Sequence, residues 1–217
     1  VDLTRFVPRA AEPPGPPLVV LASRMLWDKG VGEFADAARL LRRGGSPARF
    51  VLVGKPDPGN PASVPEAQLR DWQREGCLEW WGYRTDMPEV LALAHIGCLP
   101  SYYREGLPKF LIEAAAAGLP LVTTDATGCR EAVEPEVNGL LVPPREPAAL
   151  AAALARLIAD PALRRRLGAR SRALAEARFD ATRIHAATLA VYRELLTCVA
   201  QGHPGRGRRC LALTGAG

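Results

Sequence analysis

Tyr103-Arg104-Glu105-Gly106-Leu107-Pro108-Lys109-Phe110-Leu111-Ile112-Glu113 sets one glutamate in a loop marked by glycine and proline, and a second inside the helix that the loop opens. The fixed φ of Pro108 and its missing N–H suit a first helical turn, and Gly106 lets the backbone turn tightly just before it. The helix is expected from about Pro108 to Ala117, ended by Gly118 and stopped by Pro120, with Leu121 to Thr124 following as a strand. A loop, a helix and a buried strand in that order are one link of an alternating chain.

The rest of the sequence repeats the link. Strand-like apolar runs at Leu18 to Ala22, Phe50 to Val53, Leu78 to Trp81, Ile96 to Leu99, Leu121 to Thr124 and Leu140 to Val142 alternate with helix-period segments. That order predicts an α/β domain, a parallel sheet covered by helices on both faces. Asp160-Pro161 reads as a cap and first-turn proline opening an arginine-rich helix with Leu163, Leu167 and Leu174 inward. Asp180 caps another, with Ile184, Thr188, Val191 and Leu195 on one face. The pattern stops near Cys198, so residues 199–217 are expected to be a disordered tail.

In open parallel sheets ligands bind at the carboxyl ends of the strands, and four loops there carry chemistry. The first helical turn after Pro108 exposes N–H groups at the positive end of the helix dipole, which favours an anion. Glu105 stands at the rim of that site, where a carboxylate accepts hydrogen bonds from hydroxyl donors; alone it also fits a first-turn helix acid, as Glu113 fits a solvated helix residue. After the first strand, Arg24 and Lys29 precede a helix from about Val31, where cations face the wrong end of the dipole unless an anion lies between. After the second strand comes Gly54-Lys55, in which Lys55 also reads as solvent-facing. After the third, Trp80-Trp81-Gly82-Tyr83-Arg84 combines stacking and hydrogen-bonding groups, although Trp80 and Trp81 read equally as sheet residues and Arg84 as part of the next helix start.

The string Ser101-Tyr102-Tyr103-Arg104-Glu105-Gly106-Leu107-Pro108, with Glu113 to Pro120 and Gly128-Cys129-Arg130-Glu131, resembles glycosyltransferase family 4, whose retaining enzymes have the two-domain GT-B fold and carry a Glu-x7-Glu motif. It is most similar to bacterial members that build cell-surface polysaccharides and lipopolysaccharides, and the resemblance runs from Val1 to about Leu196. It implies a Rossmann-like three-layer domain, one half of a GT-B fold, that binds a nucleotide-diphosphate sugar. By resemblance Arg24 and Lys29 neutralise the donor diphosphate, helped by the backbone around Gly106, Leu107, Pro108 and Lys109. Glu105 takes the sugar hydroxyls and Glu113 the ribose diol. Gly54 approaches the nucleotide, and Gly82, Tyr83 and Arg84 pass the base. Retention through front-face displacement, assisted by the leaving phosphate, is the family's usual proposal. Val1 to Pro8 is similar to the segment just past the interdomain linker, so residues 1–16 are expected to be a linker remnant and 17–198 the donor-binding domain. The acceptor, a glycan or lipid-linked sugar, would be held mainly by an N-terminal domain that these residues do not include. A nucleotide-sugar 2-epimerase shares the architecture, as would a non-catalytic scaffold domain.

Composition bounds the remaining classes. The chain has 217 residues, 48% apolar and 24% charged, enough for one sizeable core. Its net charge of +5 includes Arg206, Arg208 and Arg209 of the tail, so nucleic acid is not the expected partner. The five cysteines are scattered without a C-x-x-C pair, which points away from a disulfide framework or zinc site and toward a reducing cytoplasm, with any membrane contact peripheral at its inner face. No G-x-G-x-x-G, P-loop or Asp-x-Asp occurs, which disfavours nicotinamide, P-loop and metal-dependent GT-A chemistry; no metal cofactor is expected. His95 reads as structural, His185 as a helix residue and His203 as part of the tail.

Overall fold

The computed structural model describes residues 1–104 and 106–200, with side chains through residue 197. Six parallel strands form one sheet: β1 (Leu18–Ala22), β2 (Arg49–Val53), β3 (Glu79–Trp80), β4 (Ile96–Leu99), β5 (Leu121–Thr124) and β6 (Gly139–Val142), in the order β3-β2-β1-β4-β5-β6. Val19, Val20 and Leu21 of β1 are fully buried, as are Val51 and Leu52 of β2 and Leu121 and Val122 of β5. Strands covered on both faces read as continuous apolar runs, which is how the sequence presents them. The third strand is shorter than Leu78 to Trp81, because only Glu79 and Trp80 pair with β2, at Val51 and Leu52.

The helices are α1 (Val31–Arg43), α2 (Glu66–Arg74), α3 (Met87–Leu93), α4 (Lys109–Ala116), α5 (Pro147–Ala159), α6 (Pro161–Arg178) and α7 (Ala181–Ala200). The strand order reverses at β1, so right-handed crossovers put α1, leading to β2, and α4, leading to β5, on opposite faces. Helix α1 packs on α5, and α4 on α6, giving three layers. Phe34 of α1 meets Phe50 of β2 edge to face, with centroids 5.7 Å apart. On the other face the alanine run of α4 lets the helix approach so closely that a Cβ at Gly97 of β4 would strike the methyl of Ala114.

Helix α6 starts as expected, the Asp160 carboxylate accepting from the Leu163 N–H at 2.9 Å, with Leu167 and Leu174 buried. Helix α7 differs: of the expected inward face, Ile184, Thr188 and Val191 are exposed and only Leu195 is partly buried. The expected tail lies outside the described residues, apart from Val199 and Ala200, which end α7.

Residues 1–16, read from sequence as a linker, are tied to the body along their length. The Ala181 N–H donates to the Val1 carbonyl at 3.0 Å, Arg172 donates to the Phe6 carbonyl at 2.7 Å, and Arg9 caps the end of α3 through the Ala92 and Ala94 carbonyls. Glu12 is gripped by two 2.8 Å bonds from the buried Arg164. His95 fastens the segment to the sheet. Its Nδ1 accepts from the Leu18 N–H at 3.0 Å, so its other nitrogen, Nε2, carries the proton given to the Pro13 carbonyl at 3.1 Å.

Burial holds the His95 pKa below the ordinary histidine value, against the pull of the Pro13 carbonyl and the Glu12 carboxylate and with the nearby Arg9 and Arg164 adding to the depression. The unfolded chain therefore binds a proton that the folded chain refuses, and stability present above about pH 6.5 is lost as pH falls through and below that value. Thermal melts should show a lower midpoint at pH 5.5 than at 7.5. His95→Asn, which keeps an acceptor for Leu18, should flatten that difference; an unchanged slope would remove His95 as its source.

Candidate functional site

A cleft of about 460 Å³ opens where the carboxyl ends of β1, β2 and β3 face the first turns of α4. Ala22, Ser23 and Arg24 come from the end of β1, Val53, Gly54 and Lys55 from the end of β2, and Tyr83, Arg84 and Thr85 from the loop after β3. Helix α4 supplies Lys109, Phe110 and Glu113, and the N-terminal segment adds Arg5 and Phe6. The location is the one that a doubly wound sheet dictates, outside the strand ends beside the reversal of strand order.

Its walls are backbone welds. The Ser23 N–H donates to the Val53 carbonyl at 3.0 Å, Met25 to Lys55 at 3.0 Å, and Gly54 to Gly82 at 2.8 Å. Gly54 has φ +143° and a Cβ there would overlap the Ser23 carbonyl oxygen, so this glycine is required by the approach of two loops whether or not a ligand is present. On the far side of the β1 loop, the Asp28 carbonyl accepts from the N–H groups of Tyr102 and Tyr103 at 3.0 and 3.1 Å and from the Ser101 hydroxyl at 3.2 Å. These bonds fix Ser101, Tyr102 and Tyr103 against the β1 loop.

The cleft is strongly cationic, with Arg5, Arg24, Lys55, Arg84 and Lys109 against the single carboxylate of Glu113. Glu113 is 8% exposed and therefore not a solvated helix residue. It lies three positions after the buried Phe110, on the same face of α4, and Lys109 Nζ stands 3.3 Å from its Oε1. The largely exposed guanidinium of Arg24 donates through Nη1 to Asp57 Oδ2 at 2.9 Å. Arg84 pairs with Asp86, the N-cap residue of α3, in keeping with a part in that helix start. Tyr83 is 66% exposed, with Lys55 Nζ 5.4 Å from its ring centroid, an open aromatic platform beside a cation. Trp80 and Trp81 are anchored in the fold by indole N–H bonds to the Gly54 carbonyl at 2.8 Å and Glu79 at 3.0 Å.

Of the residues singled out by sequence, Arg24, Gly54, Lys55, Tyr83, Arg84, Lys109 and Glu113 thus line one cleft. Lys29 does not join Arg24 there. It ends a short 3₁₀ turn, Trp27–Lys29, is 9% exposed, and directs Nζ to the Tyr103 ring, 5.1 Å from the centroid. Gly30 turns the chain into α1 at φ +75°, and a Cβ there would collide with the Pro100 carbonyl, so the Lys29 turn is pressed against the loop after β4. Gly82 contributes its carbonyl to the weld with Gly54. Gly106 and Leu107 are exposed beyond the cleft, and Pro108 is the N-cap of α4 with ψ 123°, so the helix starts one residue later than expected. Glu105 lies outside the described residues. Arg5, Phe6 and Asp57 escaped the sequence reading. The first two sit in a segment without periodicity, while Asp57 follows Lys55 closely enough to have been a candidate.

Among the described residues no group of three or more His, Cys, Asp or Glu is placed to hold a metal ion, and no helix is long and apolar enough to cross a membrane. Cys77 and Cys98 are buried free thiols, and Cys129 is buried with its Sγ 3.9 Å from the Ser101 carbonyl oxygen.

Residues 16–160 match the family model described as "Glycosyl transferases group 1". The chain is 34% identical over 148 residues to the N,N'-diacetylbacillosaminyl-diphospho-undecaprenol alpha-1,3-N-acetylgalactosaminyltransferase of Campylobacter jejuni, covering 68% of this chain and 37% of that protein. Among solved structures, Anabaena HepE in complex with UDP superimposes with a TM-score of 0.79 at 25% identity, covering 90% of this chain and 56% of that one. The C-terminal domain of LpcC, a glycosyl transferase group 1 family protein from Francisella tularensis, superimposes with a TM-score of 0.71 at 21% identity, covering 83% of this chain and 99% of that domain; this likeness speaks to the fold alone. The chain thus spans less than half the length of the Campylobacter relative.

Proposed function

The chain belongs to the glycosyl transferases group 1 family, and on that premise we propose that it is the donor-binding part of a retaining hexosyltransferase, which moves a sugar from a nucleotide diphosphate to a glycan or lipid-linked acceptor. The observation that carries this reading is the charge of the cleft, five cations around one buried carboxylate at the strand ends. A nucleoside diphosphate has the complementary form, an anion joined to a neutral diol and a flat base. HepE, similar in fold over 90% of this chain, has been solved with UDP.

In this reading the diphosphate lies among Arg24, Lys55 and Lys109, where charge-assisted bonds stabilise the negative charge that grows as the sugar leaves. Lys29 and the backbone at Gly106, Leu107 and Pro108 act from the β4–α4 side. Glu113 accepts from the ribose hydroxyls, Tyr83 gives the base a face, Arg84 and the backbone of Gly82 and Gly54 border it, and Glu105 accepts from the sugar hydroxyls. Leaving-group charge is neutralised by side chains and backbone dipoles, so the reaction runs without a divalent metal. Residues 17–198 are the donor-binding unit and 1–16 the connection to a domain that holds the acceptor; the enzyme works in the cytoplasm, at the inner face of the membrane when its acceptor is lipid-linked.

Two variants separate the glutamates. In calorimetric titrations with UDP-, GDP- and ADP-sugars and the matching free diphosphates, Glu113→Gln should weaken sugar-bearing and free nucleotide alike, by about tenfold, because the ribose is common to both. Glu105→Gln should weaken the nucleotide sugar by a similar factor and leave the free diphosphate within about twofold. Wild-type affinities in both variants, with unchanged melts, would return both residues to ordinary helix acids. Transfer by the whole enzyme should also persist in excess EDTA; complete loss restored by Mg²⁺ or Mn²⁺ would contradict the metal-free assignment.

A further inference from the structure

Arg24 and Lys55 stand between two cavities, and Asp57 backs Arg24 from one of them. Arg24 and Lys55 line both the 460 Å³ cleft and an adjoining open cavity of about 920 Å³, whose other walls include Pro56, Asp57, Pro58 and Pro65. The Asp57 carboxylate reaches Arg24 from that second side and engages Nη1 alone, at 2.9 Å. No bond to Nε or Nη2 accompanies it, which leaves those donors for a ligand in the cleft.

The main chain that carries the carboxylate is tied down by hydrogen bonds. The Asp57 N–H donates to the Ser63 hydroxyl at 2.9 Å, its carbonyl accepts from Asn60 at 2.8 Å, and the Ala62 N–H donates to the Asn60 side chain at 2.9 Å. The loop is then joined to the β1 loop, the Trp27 N–H donating to the Ala62 carbonyl and the Val64 N–H to the Met25 carbonyl, each at 2.8 Å. Arg24, in contrast, has a side chain 59% exposed and a long stem with several rotatable bonds. An exposed pair of this kind adds little to folding. Its effect falls on Arg24, which without Asp57 would sample many orientations and with it presents one edge of the guanidinium to the cleft before any ligand arrives.

We propose that Asp57 is a positioning residue that orients Arg24 for the diphosphate of the donor. The inference rests on the donor-site reading above, and its test is built to fail separately from it. Inorganic pyrophosphate is the probe, since it requires no knowledge of the donor base, and binding to the 217-residue chain is read by calorimetry. Asp57→Ala should weaken pyrophosphate about three- to fivefold, and Asp57→Asn, which keeps an oxygen acceptor without the charge, should recover part of the loss. In an Arg24→Ala background the same Asp57→Ala change should alter affinity by less than about 1.5-fold, because nothing remains to be oriented. Ser63→Ala, which loosens the loop but keeps the carboxylate, should fall between wild type and Asp57→Ala. Tighter binding in Asp57→Ala would mean that the carboxylate competes with the ligand, and an equal loss in both backgrounds would mean a general loop effect; either overturns the proposal, as does wild-type affinity in Asp57→Ala when Arg24→Ala weakens binding. If Arg24→Ala itself binds pyrophosphate like wild type, the donor-site reading fails and this inference fails with it.

Discussion

The Asp28 carbonyl, which accepts from two backbone N–H groups and a hydroxyl of the loop after β4, is the contact on which the site depends. Each such bond contributes only about 0.5–1.5 kcal/mol net. Their position matters more than their sum. They join the loops after β1 and β4 at the place where the strand order reverses, and the Pro100 carbonyl leaves room there for nothing larger than Gly30. Helix α4 brings Glu113 and Lys109 to the cleft lined by the loops after β1, β2 and β3. A second weld, Gly54 against Ser23, holds those loops at a common depth.

Electrostatics follow from this arrangement. Five cationic side chains converge from five separate segments, and two of them are countered from outside the cleft, Arg24 by Asp57 and Arg84 by Asp86. Exposed pairs of this kind are worth about 0.2–1 kcal/mol, too little to justify a cationic cleft as a folding device. The concentration of charge makes sense as recognition of an anion. Burial of Glu113 fits the same view, since a carboxylate held 8% exposed beside one flexible lysine retains capacity to accept from a ligand's hydroxyls.

Much of the fold was legible in the sequence for a physical reason. Strands buried on both faces are uninterrupted apolar runs, and Ile96 to Leu99 and Leu121 to Thr124 were readable to the residue. The third strand was overdrawn, because Leu78 is buried by packing and not by pairing. The apolar stripe of α7 was visible, but a stripe states only that a face is apolar and not what it meets. In the site, loops at strand ends could be named from topology alone. Burial of Glu113 was encoded three residues from Phe110 yet hidden by the habit of reading a lone helix glutamate as solvated. The placement of Lys29 Nζ over the Tyr103 ring could not be read, since it depends on how Tyr103 returns from a distant strand. Nor could the contribution of Arg5 and Phe6, whose segment has no periodicity and is positioned by bonds to α6 and α3.

The central claim is that the cationic cleft at the strand ends holds a nucleoside diphosphate. The most direct measurement is a crystal structure of the chain grown with UDP or, if another base binds more tightly, that diphosphate. The account predicts the diphosphate within hydrogen-bond reach of Arg24 and flanked by Lys55 and Lys109, with the ribose hydroxyls on Glu113. Density for the nucleotide instead in the arginine-lined cavity of about 430 Å³ formed by Arg9, Arg165 and Arg172 with His95 would contradict it.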